Sequence, residues 1–182
     1  AAGTVFNIQV AAELSKQGAG STVGGILAIG LAREIAPILT ATLITGKVAT
    51  AYAAQLGTMK VTEQIDALVT LSTNPLQYLT VPRVLAGVLT VPLLVGVGDI
   101  IGVMGGFLVS TEQLGFNHAG YIKNTVDFLT MPDIVSSLIK GAVFGFIATL
   151  IGCYYGMNSG RGAMGVGSAT KGAVATASIL IL

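Results

Sequence analysis

Arg33 and Glu34 stand side by side in an otherwise apolar run at residues 24–46. Ionised groups inside such a run are expensive in lipid and are kept where they face a bundle interior or a wet cavity. Helical neighbours point about 100° apart, so the two do not neutralise each other on one face, and each is expected to meet its own partner. The guanidinium of Arg33 has the planar, multi-donor geometry that recognises an anionic headgroup. The competing use of the pair is a structural ion-pair network that holds helices together. Pro37, one turn on, removes a backbone hydrogen bond and predicts a kink. Asp99 is a second acid in an apolar run, with Gly98 and Gly102 nearby; a relay carboxylate and an interhelical hydrogen bond are both open to it. Gln9 and Glu13 are one turn apart and share a face that can line the mouth of a cavity.

Other chemistries are poorly served. Gly160-Arg161-Gly162-Ala163-Met164-Gly165 matches G-x-G-x-x-G, but the dinucleotide fingerprint needs a preceding strand and an acid about 20 residues on. Here an apolar helical run precedes it and no acid follows. There is no G-x-x-x-x-G-K-[ST], so the chain is not expected to bind ATP itself. His118 is the single histidine and reads as a solvated loop residue, which leaves no multi-histidine metal site and no nucleophile–His–acid arrangement. Cys153, the single cysteine, sits in an apolar run and reads as small apolar filler. No cofactor, metal or nucleic-acid partner is expected.

The elements that must position these residues are membrane helices. Of 182 residues 53% are apolar and only 9% charged, against about 25% charged in a soluble domain. Spanning needs about 20 apolar residues. Residues 24–46, 84–109 and 141–157 satisfy this, the last extendable through 134–140, and residues 1–12 and 172–182 read as parts of two more spans. The chain is expected to lack a signal peptide and to begin and stop inside apolar helices. The connections are 13–23, 47–83, 110–133 and 158–171. Lys47, Lys60, Arg83, Arg161 and Lys171 fall on one side, and Lys16 and Lys123, with Lys140 near the boundary, on the other. The first side is therefore expected to be cytoplasmic. Four-residue glycine spacings at Gly98/Gly102/Gly106, Gly141/Gly145 and Gly152/Gly156 predict close helix contacts. In the 47–83 connection, residues 60–73 form an expected short amphipathic helix, with Val61, Ile65, Leu68 and Val69 on one face and Glu63, Gln64 and Asp66 elsewhere. Thr58 or Thr62 is its expected cap. It can lie on the membrane interface or dock a cytoplasmic partner.

The runs Ala32-Arg33-Glu34-Ile35-Ala36-Pro37 and Gly57-Thr58-Met59-Lys60-Val61-Thr62-Glu63-Gln64-Ile65-Asp66-Ala67-Leu68, followed by Asn74-Pro75 and Val81-Pro82-Arg83, resemble the MlaE/YrbE permease family over essentially the whole chain. That family supplies the membrane subunit of ABC transporters that move phospholipid between the inner and outer membranes of Gram-negative bacteria, with a branch in chloroplast envelopes. The resemblance implies that Arg33 and Glu34 lie by a lipid-binding cavity to which Phe6, Gln9 and Glu13 also contribute. It implies that residues 60–73 couple to the ATPase, through Lys60, Glu63, Gln64, Asp66 and Leu68. It implies as partners a second copy of the permease, a cytoplasmic ABC ATPase, a periplasmic ring of MCE-domain proteins and a small STAS-domain subunit. The chain departs from the family after the second span, where Gly46-Lys47-Val48-Ala49-Thr50-Ala51 keeps a positive charge at Lys47 but Gln55 replaces an acid.

The expectation is thus an all-α polytopic bundle of about five transmembrane helices forming one permease domain over 1–182, with a cytoplasmic coupling helix at 60–73, in a bacterial inner membrane. It is not an enzyme but a phospholipid permease driven by a separate ATPase. A secondary transporter or channel is the alternative, for which an internal repeat would speak and none is evident; a lipid-modifying membrane enzyme is disfavoured by the single histidine.

Overall fold

The computed structural model describes residue 26 and residues 30–112 and 117–182; the expected first span lies outside them. All regular structure among the described residues is helical. A π-helical turn, Leu31–Ile35, leads into α1 (Ala36–Val61); α2 is Gln64–Thr70; a second π-helical turn, Leu76–Thr80, leads into α3 (Val81–Glu112); α4 is His118–Phe128, α5 Met131–Met157 and α6 Gly162–Ile181. Among the described residues, four stretches are long and apolar enough to span: Arg33–Val61, Leu76–Leu108, Met131–Met157 and Gly162–Ile181. The chain is a multi-pass membrane protein.

Helices run further than the charges suggested. Lys47 does not end a span, because α1 continues for 26 residues to Val61, about 39 Å at 1.5 Å per residue. One lysine whose stem lies along the helix breaks no backbone hydrogen bond, so charge alone marks no helix end. In the same way α6 begins at Gly162 rather than after Lys171, and α5 begins at Met131. The 110–133 connection contains a helix, α4, capped by the Asn117 side chain, which accepts from the amides of Ala119 and Gly120. His118 opens that helix, with its ring edge-on to Phe107 at 5.6 Å between centroids.

The expected helix at 60–73 is shorter than its pattern. Lys60 and Val61 complete α1, and Glu63 then takes a left-handed conformation (φ 59°) that ends one helix and starts the next. Neither Thr58 nor Thr62 caps α2; their hydroxyls donate back to the carbonyls of Ala54 and Thr58. At the far end Ser72 (φ 58°) donates its amide to Val69 O, and the Thr73 amide reaches Leu68 O. This is a Schellman closure with serine where glycine is usual. Asn74 and Pro75 then turn the chain, Asn74 Oδ1 accepting from the amide of Leu76 at 3.0 Å.

The described residues divide into two compact units, those up to residue 39 with those of 93–140, and residues 40–92 with 141–182. In the second unit α5 packs on three neighbours through small residues. A Cβ at Gly152 would stand 2.9 Å from Ala49 Cα, and one at Gly156 2.7 Å from Leu56 Cβ, both on α1. Gly145 lies against α3, where its Cβ would be 2.6 Å from Gly87 O, and Gly87 itself lies against Thr149. Tyr155 meets α6 through a 2.8 Å hydrogen bond with Thr176 and covers Gly172. With no hydrophobic effect between helices in lipid, such backbone approach is what holds them. Ile65 and Leu68 of α2 join an apolar cluster with Leu56, Leu79 and Cys153, the thiol serving as filler.

Gly156→Ala is therefore expected to lower stability by about 1–3 kcal/mol through overpacking, whereas Gly46→Ala, with nothing within 4 Å of the new Cβ, should cost nothing. Unfolding of the two variants in detergent, side by side, checks the contrast; equal losses would mean that close approach at Gly156 is not what matters.

Candidate functional site

Among the described residues, the ion pairs lie in the first unit. Pro37 has no amide hydrogen, so the Arg33 carbonyl, four residues earlier, lacks its α-helical donor. The π-helical turn falls at this point, and Lys140 Nζ donates to Arg33 O at 2.6 Å. The same ammonium reaches Glu34 Oε1 at 2.9 Å. Arg33 turns the other way, and its Nε and Nη2 both meet Asp133 Oδ1. Each member of the neighbouring pair thus has its own partner, as the 100° offset predicts, and both partners are on α5.

Asp133 is held from its own side as well. Its Oδ2 accepts from the amide of Thr130 at 3.0 Å and from the Thr130 hydroxyl at 2.7 Å, while the Asp133 amide donates to Thr130 O. The carboxylate reaching back to the Thr130 amide is one half of a capping box at the start of α5. The Asp133 side chain is 2% exposed, but that of Arg33 is 55% exposed and that of Glu34 64%. Of the five N–H donors of a guanidinium, those on Nε and one on Nη2 are engaged. The remaining three have no partner among the described residues. The pair is therefore a fixed strut that leaves part of the guanidinium exposed.

Asp99 of α3 meets α5 too, its Oδ2 accepting from the Ser137 hydroxyl at 2.7 Å, an interhelical hydrogen bond as expected. Asp133, Ser137 and Lys140 follow one another at i, i+4 and i+7, so one face of α5 supplies partners to Arg33, Asp99 and Glu34. The residues were visible in the sequence, but Asp133 was assigned to a connection. Starting the helix at Met131 instead of residue 134 or 141 would have put all three on one face.

Phe6, Gln9 and Glu13 lie outside the described residues. The candidate coupling residues lie in the second unit. Lys60 Nζ donates to Met157 O at 2.9 Å and Ser159 O at 3.1 Å, capping the carbonyl end of α5. Glu63, Gln64 and Asp66 are exposed, whereas Leu68 is half-buried against the apolar cluster. Lys60, Glu63 and Asp66 line a polar depression of about 500 Å³ together with Ser159, Gly160 and Arg161. The G-x-G-x-x-G run spans the end of the short α5–α6 loop and the first turn of α6, and it follows a helix, not a strand. Gly162 needs its positive φ of 72° to turn the chain, and a Cβ on Gly165 would collide with the Gly160 backbone. Near by, Gln55 accepts from Arg83 Nη2 at 3.1 Å, and the guanidinium lies 5.8 Å from the Tyr52 ring centre. The partner of Gln55 is thus Arg83.

The whole chain, residues 1–182, matches the family model of the permease MlaE. It is 47% identical over 180 residues to a probable ABC transporter permease protein of Rickettsia typhi, an alignment that takes in 99% of this chain and 70% of that protein. A probable ABC transporter permease protein of Synechocystis is 44% identical, over 98% of this chain and 68% of its own length. The chloroplastic protein TRIGALACTOSYLDIACYLGLYCEROL 1 of Arabidopsis thaliana is 37% identical, over 94% of this chain and 49% of its own.

Exchanging the charges of Glu34 and Lys140 separates the two bonds that Lys140 makes. Lys140→Glu is expected to lower the unfolding midpoint in detergent. Adding Glu34→Lys should recover only part of the loss, because a carboxylate at 140 cannot donate to the Arg33 carbonyl. Complete recovery would show that this backbone bond contributes nothing.

Proposed function

This chain belongs to the MlaE permease family and is an ABC transporter permease that works with a separate ATPase; on that premise we propose that its cargo is phospholipid, carried between the inner and outer membranes of a bacterial envelope. The observation that carries the reading is Arg33, half-exposed, anchored through Nε and Nη2, with its other donors unengaged among the described residues. A phosphate diester offers the planar pair of acceptor oxygens that such a fork binds. Asp133 fixes the guanidinium so that little rotamer freedom is lost when cargo arrives. Glu34, whose carboxylate is well exposed beside Lys140, faces the amine of a zwitterionic headgroup, and apolar helix faces take the acyl chains. Phe6, Gln9 and Glu13 are proposed to complete this cavity.

Cargo release requires two states of the permease with different affinity for it, biased by ATP binding and hydrolysis in the partner. We assign the transmission to α2 and its surroundings. The short helix is anchored by Ile65 and Leu68, and it offers Glu63, Gln64 and Asp66 outward beside Lys60 and Arg161. Anchored on one side and charged on the other, it suits a lever between an ATPase and the apolar bundle. The proposed assembly pairs two permeases over two ATPases, with an MCE-domain ring on the periplasmic side and a STAS-domain subunit below.

Arg33→Ala in the assembled complex is expected to cut co-purified lipid phosphate and lipid-stimulated ATP hydrolysis by about tenfold, the scale of one or two charge-assisted hydrogen bonds. Unchanged lipid phosphate would leave Arg33 a purely structural strut. Glu63→Lys or Asp66→Lys should reduce the ATPase recovered with the tagged permease while the permease still elutes as a folded species. Full recovery of the ATPase would reduce α2 to a helix that merely rests at the membrane surface.

A further inference from the structure

Asp99 is an acidic group inside a span that the mechanism leaves unused. One carboxylate oxygen accepts from Ser137, as described, while the other, Oδ1, is buried and has no hydrogen-bond partner among the described residues. Buried polar atoms are seldom left so, because desolvation without a partner is costly. Asp99 lines a pocket of about 440 Å³ whose other walls include Gly96, Ile100, Met104, Ile134 and Leu138. The volume is within the range of small-molecule sites, and a mostly apolar wall with one placed polar group is their usual make-up.

A ligand suited to this pocket needs hydrocarbon to cover the wall and a donor for Oδ1. A positively charged donor matches best, since it meets a carboxylate already oriented by Ser137. A phosphate is excluded by like charge, and a neutral alkyl chain would leave Oδ1 unpaired. We propose that this pocket binds a lipid through a protonated primary amine in its headgroup, with Asp99 as the amine acceptor and Ser137 as the residue that positions it. The inference deepens the lipid-carrier reading and rests on it for the class of molecule. It adds Asp99 to Glu34 as an acceptor for a headgroup amine, and with it a selectivity for amine-bearing over amine-free phospholipid that Arg33 cannot provide.

The test uses the full-length permease assembled with its ATPase, purified from nanodiscs holding equal phosphatidylethanolamine and phosphatidylglycerol, with the retained lipids counted by mass spectrometry. The wild type should be enriched in phosphatidylethanolamine. Asp99→Asn keeps an oxygen for Ser137 and removes the charge; it should reduce that enrichment about tenfold with phosphatidylglycerol unchanged. Gly96→Leu gives a second arm. A Cβ there meets only Leu138 Cδ2, at 3.7 Å, so the longer side chain can enter the pocket, and the same loss of enrichment is expected. Enrichment that survives either variant overturns the assignment. Wild-type lipid retained without amine preference overturns it while leaving the lipid-carrier reading intact, and a wild type that retains no lipid overturns both.

Discussion

A backbone carbonyl inside a membrane protein has to find its hydrogen bond within the protein, since hydrocarbon offers none. That constraint organises the basic residues of this chain. Pro37 deprives the Arg33 carbonyl of its α-helical donor, and Lys140 supplies one. The carbonyls at the end of α5 are met by Lys60. The carbonyl of Leu79, where a π-helical turn passes into α3, accepts from Arg83 Nη1 at 2.7 Å. In each case a long cationic side chain serves a place where regular helix fails. Threonines do the same on a smaller scale: Thr45 and Thr149, both buried, return their hydroxyls to carbonyls one turn back.

The consequence is that structural and functional uses of charge are not alternatives here. Arg33 is tied to Asp133, and Asp133 closes the first turn of α5, so the guanidinium cannot drift toward any passing anion. Yet the tie engages only part of the fork. On the function proposed above, such a site binds through the donors that remain, and the negative charge of Asp133 tempers its attraction for phosphate. A transporter needs that moderation, because a cargo bound too tightly in one state cannot be released in the other.

The helical class, the apolar spans at 84–109 and 141–157, and the prominence of Arg33 and Glu34 were legible from residue types alone. So was the expectation of separate partners, which needs only the angular step of a helix. Helix ends were not legible, because a charged side chain and a span boundary leave the same mark in a hydropathy pattern. Lys47, Asp133 and Lys171 were all read as connection and all stand in helices. Glu63 and Ser72 concealed the true ends of α2, since both take the left-handed backbone that glycine or asparagine usually announces. The partners of Arg33 and Glu34 lie 100 and 106 residues away, a pairing that spacing along the chain does not encode until the helix bearing them is correctly begun.

That helix, α5, explains why so few residues suffice. Its buried face runs Asp133, Ser137, Gly141, Gly145, Thr149, Gly152 and Gly156, at steps of three and four residues. The chemistry of the face changes along its length. The first turns carry groups that bond to ions and carboxylates, and the later turns carry little beyond hydrogen and a hydroxyl, so that backbones touch. A polar face buried in lipid must be fully partnered to be stable, and Asp99 Oδ1, one of the buried oxygens without a partner among the described residues, lies at the polar end of the stripe. Selectivity for cargo would then depend on the polar turns and mechanical cohesion on the glycine turns. A change in headgroup preference could therefore evolve at residues 99 and 137 without disturbing the contacts that keep the helices together.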